Sequence, residues 1–156
     1  MNLSNPDPRH THGTAEPSAP EPAGSAVLAA GLRRRFRAAD VARHLDMAVI
    51  GDVCVGVSLA GYRTVLEVFL NEGSGSGSQA ALLAALDAGQ TQALPGLAHA
   101  VTGTAASMGL RSIRLQAQQI EIECEHYLAL DCSRAAAALR EHLVTSRALL
   151  LRMGFV

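Results

Sequence analysis

One histidine, His99, stands out because small residues accompany it at helical spacing. At about 100° per residue, Gly103 and Ala106 fall within about 40° of His99 on one side of a helix. The apolar residues of the same stretch cluster on the opposite side: Leu94, Leu97, Val101 and Met108. This pattern predicts that the imidazole points away from the core. A neutral imidazole is a nucleophile near neutral pH, so an outward His99 is a candidate for nucleophilic chemistry, although a lone helical histidine is more often an ordinary surface residue.

Gly103 needs a separate explanation, because glycine inside a helix costs about 1 kcal/mol relative to alanine. It lies one turn beyond His99 on the same face, beside Ala106. Together they leave a patch without large side chains. A partner domain could approach closely there, and a group carried on the ring would have room.

The elements that must position His99 are helices. Apolar residues mark one side of four further helical segments, the last with a seven-residue rhythm: Leu59, Tyr62, Leu66 and Phe69; Leu82, Leu83 and Leu86; Ile113, Ala117, Ile120, Cys124 and Tyr127; and Ala136, Leu139, Leu143, Leu150 and Met153. Connections between them are short, which favours antiparallel neighbours. We expect an all-α fold, an antiparallel up-and-down four-helix bundle with an additional short N-terminal helix or helices.

Local signals predict where these helices begin and end. The expected features are a leading helix over 40–49 that ends near Gly51, an N-cap at Ser78, a helix from near Leu94 to Gly109 with Pro95 in its first turn, and an N-cap at Ser133.

Residues 1–25 contain five of the six prolines and few apolar residues, so we expect a disordered tail. The domain is expected to cover 26–156. The basic run 33–37 is interpreted as the solvated boundary of the first helix, although docking to an acidic partner or anionic lipid is an alternative.

Composition excludes several classes of function. The formal net charge is −1 and all 13 basic residues are arginine, which argues against nucleic-acid binding and excludes lysine chemistry. Three scattered cysteines form no metal-ligand pattern and indicate a reducing compartment. No segment is expected to approach the ~20 apolar residues of a membrane span. We therefore expect a cytoplasmic protein that binds no membrane.

The stretch around His99 resembles histidine-containing phosphotransfer (HPt) domains, in particular those at the C-termini of hybrid sensor histidine kinases. Their pattern is His-x-Leu-Lys-Gly, then small residues, Leu-Gly and a helix ending in Leu-Glu. The matching residues are His99, Val101, Gly103, 104–106, Met108, Gly109, Ile113, Ile120 and Glu121. The resemblance extends loosely over about 40–153.

This resemblance implies that His99 is the phosphoacceptor and that Thr102, Gly103 and Ala106 form the phosphoryl and partner-docking surface. The family's lysine is replaced by Thr102, which can donate a hydrogen bond but brings no charge. Arg111 or Arg114 is a candidate substitute for that charge.

The implied function is relay of a phosphoryl group between receiver domains of two-component signalling. Partners would be response-regulator receiver domains and a hybrid sensor histidine kinase. The receiver would supply the metal ion, so the chain itself needs no cofactor and no metal. We expect a monomeric phosphocarrier without kinase activity, either free-standing or part of a hybrid kinase.

Two alternatives stay open on sequence alone. The first is a catalytically silent adaptor that binds a receiver or kinase without being phosphorylated, which the loss of the lysine favours. The second is a metal- or ligand-binding helical bundle, although the acidic edge of Glu121, Glu123 and Glu125 is interpreted as a solvated face. Phosphorylation of His99 distinguishes the relay from the adaptor, and a metal analysis of the purified protein tests the second alternative.

Overall fold

The computed structural model describes residues 37–70, 77–126 and 129–156. Their helices are α1 (Ala38–His44), α2 (Met47–Leu70), α3 (Ser78–Asp87), α4 (Leu94–Ser107), α5 (Arg111–Glu125) and α6 (Cys132–Met153), with a 3-10 turn at Thr91–Ala93. No strand occurs in these residues, and the predicted all-α bundle is confirmed. The predicted tail, 1–25, and the basic run, 33–36, lie outside the described residues.

The four longest helices share one aliphatic core. Each contributes fully buried side chains, for example Leu66 from α2, Leu94 from α4, Ile113 from α5 and Leu139 from α6. Tyr62, Leu66 and Phe69 are buried as predicted, but Leu59 is 42% exposed, so its assignment to the core is wrong. Burial of these side chains is the main stabilising contribution to the bundle.

The predicted leading helix over 40–49 is wrong. The chain leaves the helix after His44 and starts a new one at Met47, which then continues through Gly51. Asp46 causes the restart, because its Oδ1 accepts hydrogen bonds from the amides of Ala48 and Val49 at 3.2 and 3.3 Å. A carboxylate in that position satisfies donors that the first helical turn leaves free.

A break at Ser58 divides α2 into two segments. Ser58 has φ 68° and ψ 161°, and its Oγ accepts a hydrogen bond from the Gly61 amide at 3.2 Å. The side chain thereby caps the second segment. Two shorter helices meet here, where the sequence suggested only one apolar face.

By length and composition, α2 is the one described helix that could cross a membrane, which corrects the expectation that no segment comes near this limit. The break at Ser58 leaves two segments of less than about 20 Å each, against a hydrocarbon core of about 30 Å. The second segment also buries Tyr62, Leu66 and Phe69 in the protein core. Over the most apolar 18 residues of α2, 22% are buried within the described domain.

Two predicted caps are also wrong. Gly77 precedes α3 and no side chain caps that helix, so Ser78 is its first residue. Asp131, instead of Ser133, caps α6, since its Oδ1 accepts a hydrogen bond from the Arg134 amide at 3.0 Å. The predicted limits of α4 hold: Pro95 lies in the first turn, and Gly109 follows the helix with φ 70°.

The turn between α4 and α5 is fixed against α2. The Asp46 amide donates to the Gly109 carbonyl, and the Tyr62 hydroxyl donates to the Met108 carbonyl, both at 2.8 Å. Burial raises the pKa of Tyr62 far above its usual value, which keeps the hydroxyl protonated as a donor. A Cβ on residue 109 would lie 2.7 Å from the Asp46 carbonyl oxygen and from Ile50 Cγ1. Only glycine fits there, and the pairing of α4 with α5 depends on this turn.

Candidate functional site

His99 lies in the middle of α4 on its outer face. Its side chain is 79% exposed, whereas Leu94, Ala98, Val101 and Ala105 on the inner face are all buried. The predicted orientation of the ring is therefore confirmed. The helix presents the imidazole to any partner that docks on this face.

Glu121 of α5 holds one edge of the ring. Its Oε1 lies 2.8 Å from His99 Nδ1, and its side chain is only 18% exposed. Because an ionised carboxylate can only accept, Nδ1 must carry the proton and donate it. In the neutral ring, Nε2 then has the free lone pair. With Nδ1 as the donor, Nε2 is the ring nitrogen that can accept.

Sequence reasoning missed this contact, because it assigned Glu121 to a solvated acidic edge together with Glu123 and Glu125. The signal that could have found it is the separation of 22 residues between His99 and Glu121. Both residues lie equally far from Leu110, at the turn between α4 and α5. A helical hairpin brings such positions to the same level.

Gly103 and Ala106 are both exposed, about one and two turns beyond His99 on the outer face of α4. A Cβ built on Gly103 would have no atom within 4 Å. Nothing inside the described domain therefore requires glycine at 103, although glycine weakens the helix. The same open space surrounds Gly51, Gly56 and Gly96, so it does not by itself identify a partner.

Thr102 is placed differently from the other predicted surface residues. It is half-buried, and its Oγ1 is fully buried without a hydrogen-bond partner among the described residues. The hydroxyl does not face solvent in this arrangement. A role for Thr102 in holding a phosphoryl group stays a prediction.

Arg111 and Arg114 lie at the start of α5, whereas Glu121, which contacts His99, lies further along that helix. Along α5 they precede Glu121 by ten and seven residues, which correspond to about 15 and 10 Å of axial rise. Arg114 Nη1 donates to Gln118 Oε1 at 3.4 Å. The structure shows neither arginine in contact with His99, so replacement of the family's lysine by one of them also stays a prediction.

Two other histidines form a structural contact between α1, α5 and α6. His44 Nδ1 lies 3.0 Å from Ser112 Oγ, and the rings of His44 and His142 are 5.8 Å apart. The pKa of His44 is lowered, first by burial and then by His142 and Arg43. The half-buried His44 ties α1 to the bundle and offers no open reacting face.

In the described part of the chain, no group of three or more His, Cys, Asp or Glu residues is arranged to hold a metal ion. The predicted absence of a resident cofactor is not tested by this observation. The histidines at 10 and 12 lie outside the described residues.

Comparison with protein families gives one match. The model of the Hpt domain matches residues 64–149, which is more than half of the chain. No curated protein and no solved structure matches the sequence. The matched range contains His99, Gly103, Ala106 and Glu121.

Proposed function

The chain belongs to the Hpt domain family, whose members act in histidine phosphotransfer in phosphorelays, and on that premise we propose that His99 is its phosphoacceptor. It receives the phosphoryl group from the aspartyl phosphate of one receiver domain and passes it to another. The observation that carries this proposal is the exposed His99 ring with Nδ1 held by Glu121 at 2.8 Å.

The proposed transfer is a displacement at phosphorus. Nε2 of His99 forms the N–P bond as the O–P bond to the receiver aspartate breaks, and the aspartate leaves as a carboxylate. The ring gains positive charge in this step, and the Glu121 carboxylate stabilises it through the Nδ1 proton. Return of the group to a second receiver reverses the same bonds.

Phosphoryl transfer depends mainly on positioning and on neutralisation of charge. In this proposal the receiver supplies the metal ion and its own lysine, so the chain supplies only the oriented ring and the open patch at Gly103 and Ala106. It acts as a phosphocarrier and has no kinase activity by itself. We also propose that it works in the cytoplasm as a monomer, with receiver domains and a hybrid sensor histidine kinase as partners and without nucleic acid or membrane.

The proposal is tested by incubating the protein with receiver domains that carry labelled phosphate and following the label. We expect transfer to the wild type and none to His99→Gln. The variant Glu121→Ala should still accept phosphate, but about 10- to 100-fold more slowly, since the tautomer and ring orientation are no longer fixed. Label that persists in His99→Gln would remove His99 from this role.

A second candidate function is a silent adaptor that binds a receiver or kinase without being phosphorylated. It is favoured by Thr102, which replaces a lysine in the family pattern and buries its hydroxyl oxygen. The same experiment separates the two, because an adaptor would bind the receiver and acquire no label.

A further inference from the structure

A cavity of about 420 Å³ opens on the outer face of α4 at the C-terminal end of that helix, away from His99. It lies between the start of α2, the last turn of α4 and the first turn of α5. Asp46, Ala106, Gly109, Arg111 and Arg114 are among the residues that line it. Because Ala106 belongs both to this cavity and to the predicted docking surface, the two form one continuous surface.

The cavity carries unbalanced positive charge. Arg111 is exposed and Arg114 half-buried, and among the described residues neither forms an ion pair with a carboxylate. The side-chain partner of Arg114 is neutral, the amide oxygen of Gln118. Asp46 contributes one negative charge, so the lining carries two positive charges against one, and its carboxylate accepts hydrogen bonds from the amides of Ala48 and Val49 at the start of α2.

The backbone adds to this positive character. Leu110 precedes α5 and supplies no side-chain cap. Uncapped amides at the start of a helix carry partial positive charge and favour anionic groups. Two arginines and these amides therefore surround the same space.

The transferred phosphoryl group cannot be the occupant of this cavity while it is on His99. Ala106 follows His99 by seven residues of one helix, or about 10 Å along its axis. An anionic group in the cavity would therefore come from a different source than the phosphoryl group on the ring. A carboxylate side chain from the partner that covers His99 meets this condition.

We propose that this cavity binds an acidic side chain of the receiver domain, an inference that rests on the proposed function. The receiver's footprint then runs from His99 over Gly103 and Ala106 to the α4–α5 turn. Charge complementarity at Arg111 and Arg114 sets the strength and orientation of docking, while His99 carries out the transfer.

The test uses the receiver domain that exchanges phosphate fastest with the wild-type chain. In the double variant Arg111→Glu/Arg114→Glu, we expect KM for the phosphorylated receiver to rise about tenfold, with kcat changed less than twofold. Arg111→Lys/Arg114→Lys should retain most of the affinity, since it keeps the charge. The dependence of KM on salt should weaken in the double glutamate variant.

A matched control applies the same change of charge on α6, at the exposed residues Arg134 and Arg147. Arg134→Glu/Arg147→Glu should leave KM within twofold of the wild type. An unchanged KM in the cavity variant, or an equal rise in the control, would overturn the inference while the proposed function stands. If no receiver transfers phosphate to the wild-type chain, the proposed function fails and this inference fails with it.

Discussion

Two regions of the molecule each contain a histidine and a glycine, in contrasting surroundings. One is the outer face of α4, with His99 and Gly103; the other, the corner beneath the α4–α5 turn, contains His44 and Gly109. On the outer face, His99 is 79% exposed, and a Cβ added to Gly103 would have no atom within 4 Å. In the corner, His44 bonds to Ser112, and Gly109 lies against Asp46 and Ile50. The corner residues are explained by contacts within the domain. On the outer face, His99 contacts Glu121 but Gly103 has no contact that requires glycine, which fits the proposed docking of a partner there.

The largest expected effect on stability is in the corner. Gly109→Ala would keep a positive φ of 70° with a Cβ only 2.7 Å from backbone and side-chain atoms. We expect a loss of about 2–4 kcal/mol in the free energy of unfolding, from backbone strain and overpacking. Urea denaturation of the variant and the wild type measures it, and equal midpoints would contradict the account of this turn.

Gly103→Ala should have the opposite effect on stability. Because the new methyl group meets open space, we expect the free energy of unfolding to rise by up to about 1 kcal/mol. Phosphoryl transfer should nevertheless slow several-fold, because the methyl group hinders docking. Gly51→Ala is the matched control, since Gly51 is also helical with no atom within 4 Å of its Cβ position. It should stabilise the protein without slowing transfer. An unchanged rate of transfer in Gly103→Ala would contradict the claim that a partner docks closely at Gly103.

The corner should also make stability depend on pH. Burial lowers the pKa of His44 below 6.5 in the folded state, so the unfolded state binds its proton more readily. The contribution of neutral His44 is complete above pH 6.5 and decreases as the pH falls through that value. Asp40 and Glu141 oppose the shift, and Arg43 and His142 reinforce it.

Denaturation midpoints between about pH 7.5 and 5 test this prediction. The fall in stability should be smaller in His44→Gln, which keeps a polar partner for Ser112 but cannot titrate. Identical pH slopes in wild type and variant would show that the corner does not depend on a neutral His44.

The smallest expected effect concerns Thr102. Thr102→Lys restores the charge of the family pattern, and we expect transfer to His99 to speed up about two- to fivefold, because a charge on a long side chain that reaches solvent is strongly screened. Thr104→Lys adds the same charge on a different side of α4 and should have little effect. Equal rates in wild type and Thr102→Lys would show that the missing lysine is of no consequence for this chain.

The sequence alone was sufficient to predict that His99 faces outward, because the helical period places Leu94 and Val101 on the opposite side of α4. It was insufficient wherever the outcome depended on contacts between distant segments. Glu121 meets His99 only through the α4–α5 hairpin, and the break at Ser58 has no signal in the apolar pattern of α2. The caps were wrong for a related reason: local composition does not decide which side chain reaches the free amides, as Asp131 does in place of Ser133.

The most direct test of the account is to locate the phosphoryl group on the chain after reaction with a phosphorylated receiver. Peptide mass spectrometry under conditions that preserve phosphohistidine, together with phosphorus NMR, identifies both the residue and the ring nitrogen. We predict one phosphoryl group, on Nε2 of His99. Phosphate on another residue, or on Nδ1 of His99, would contradict the account.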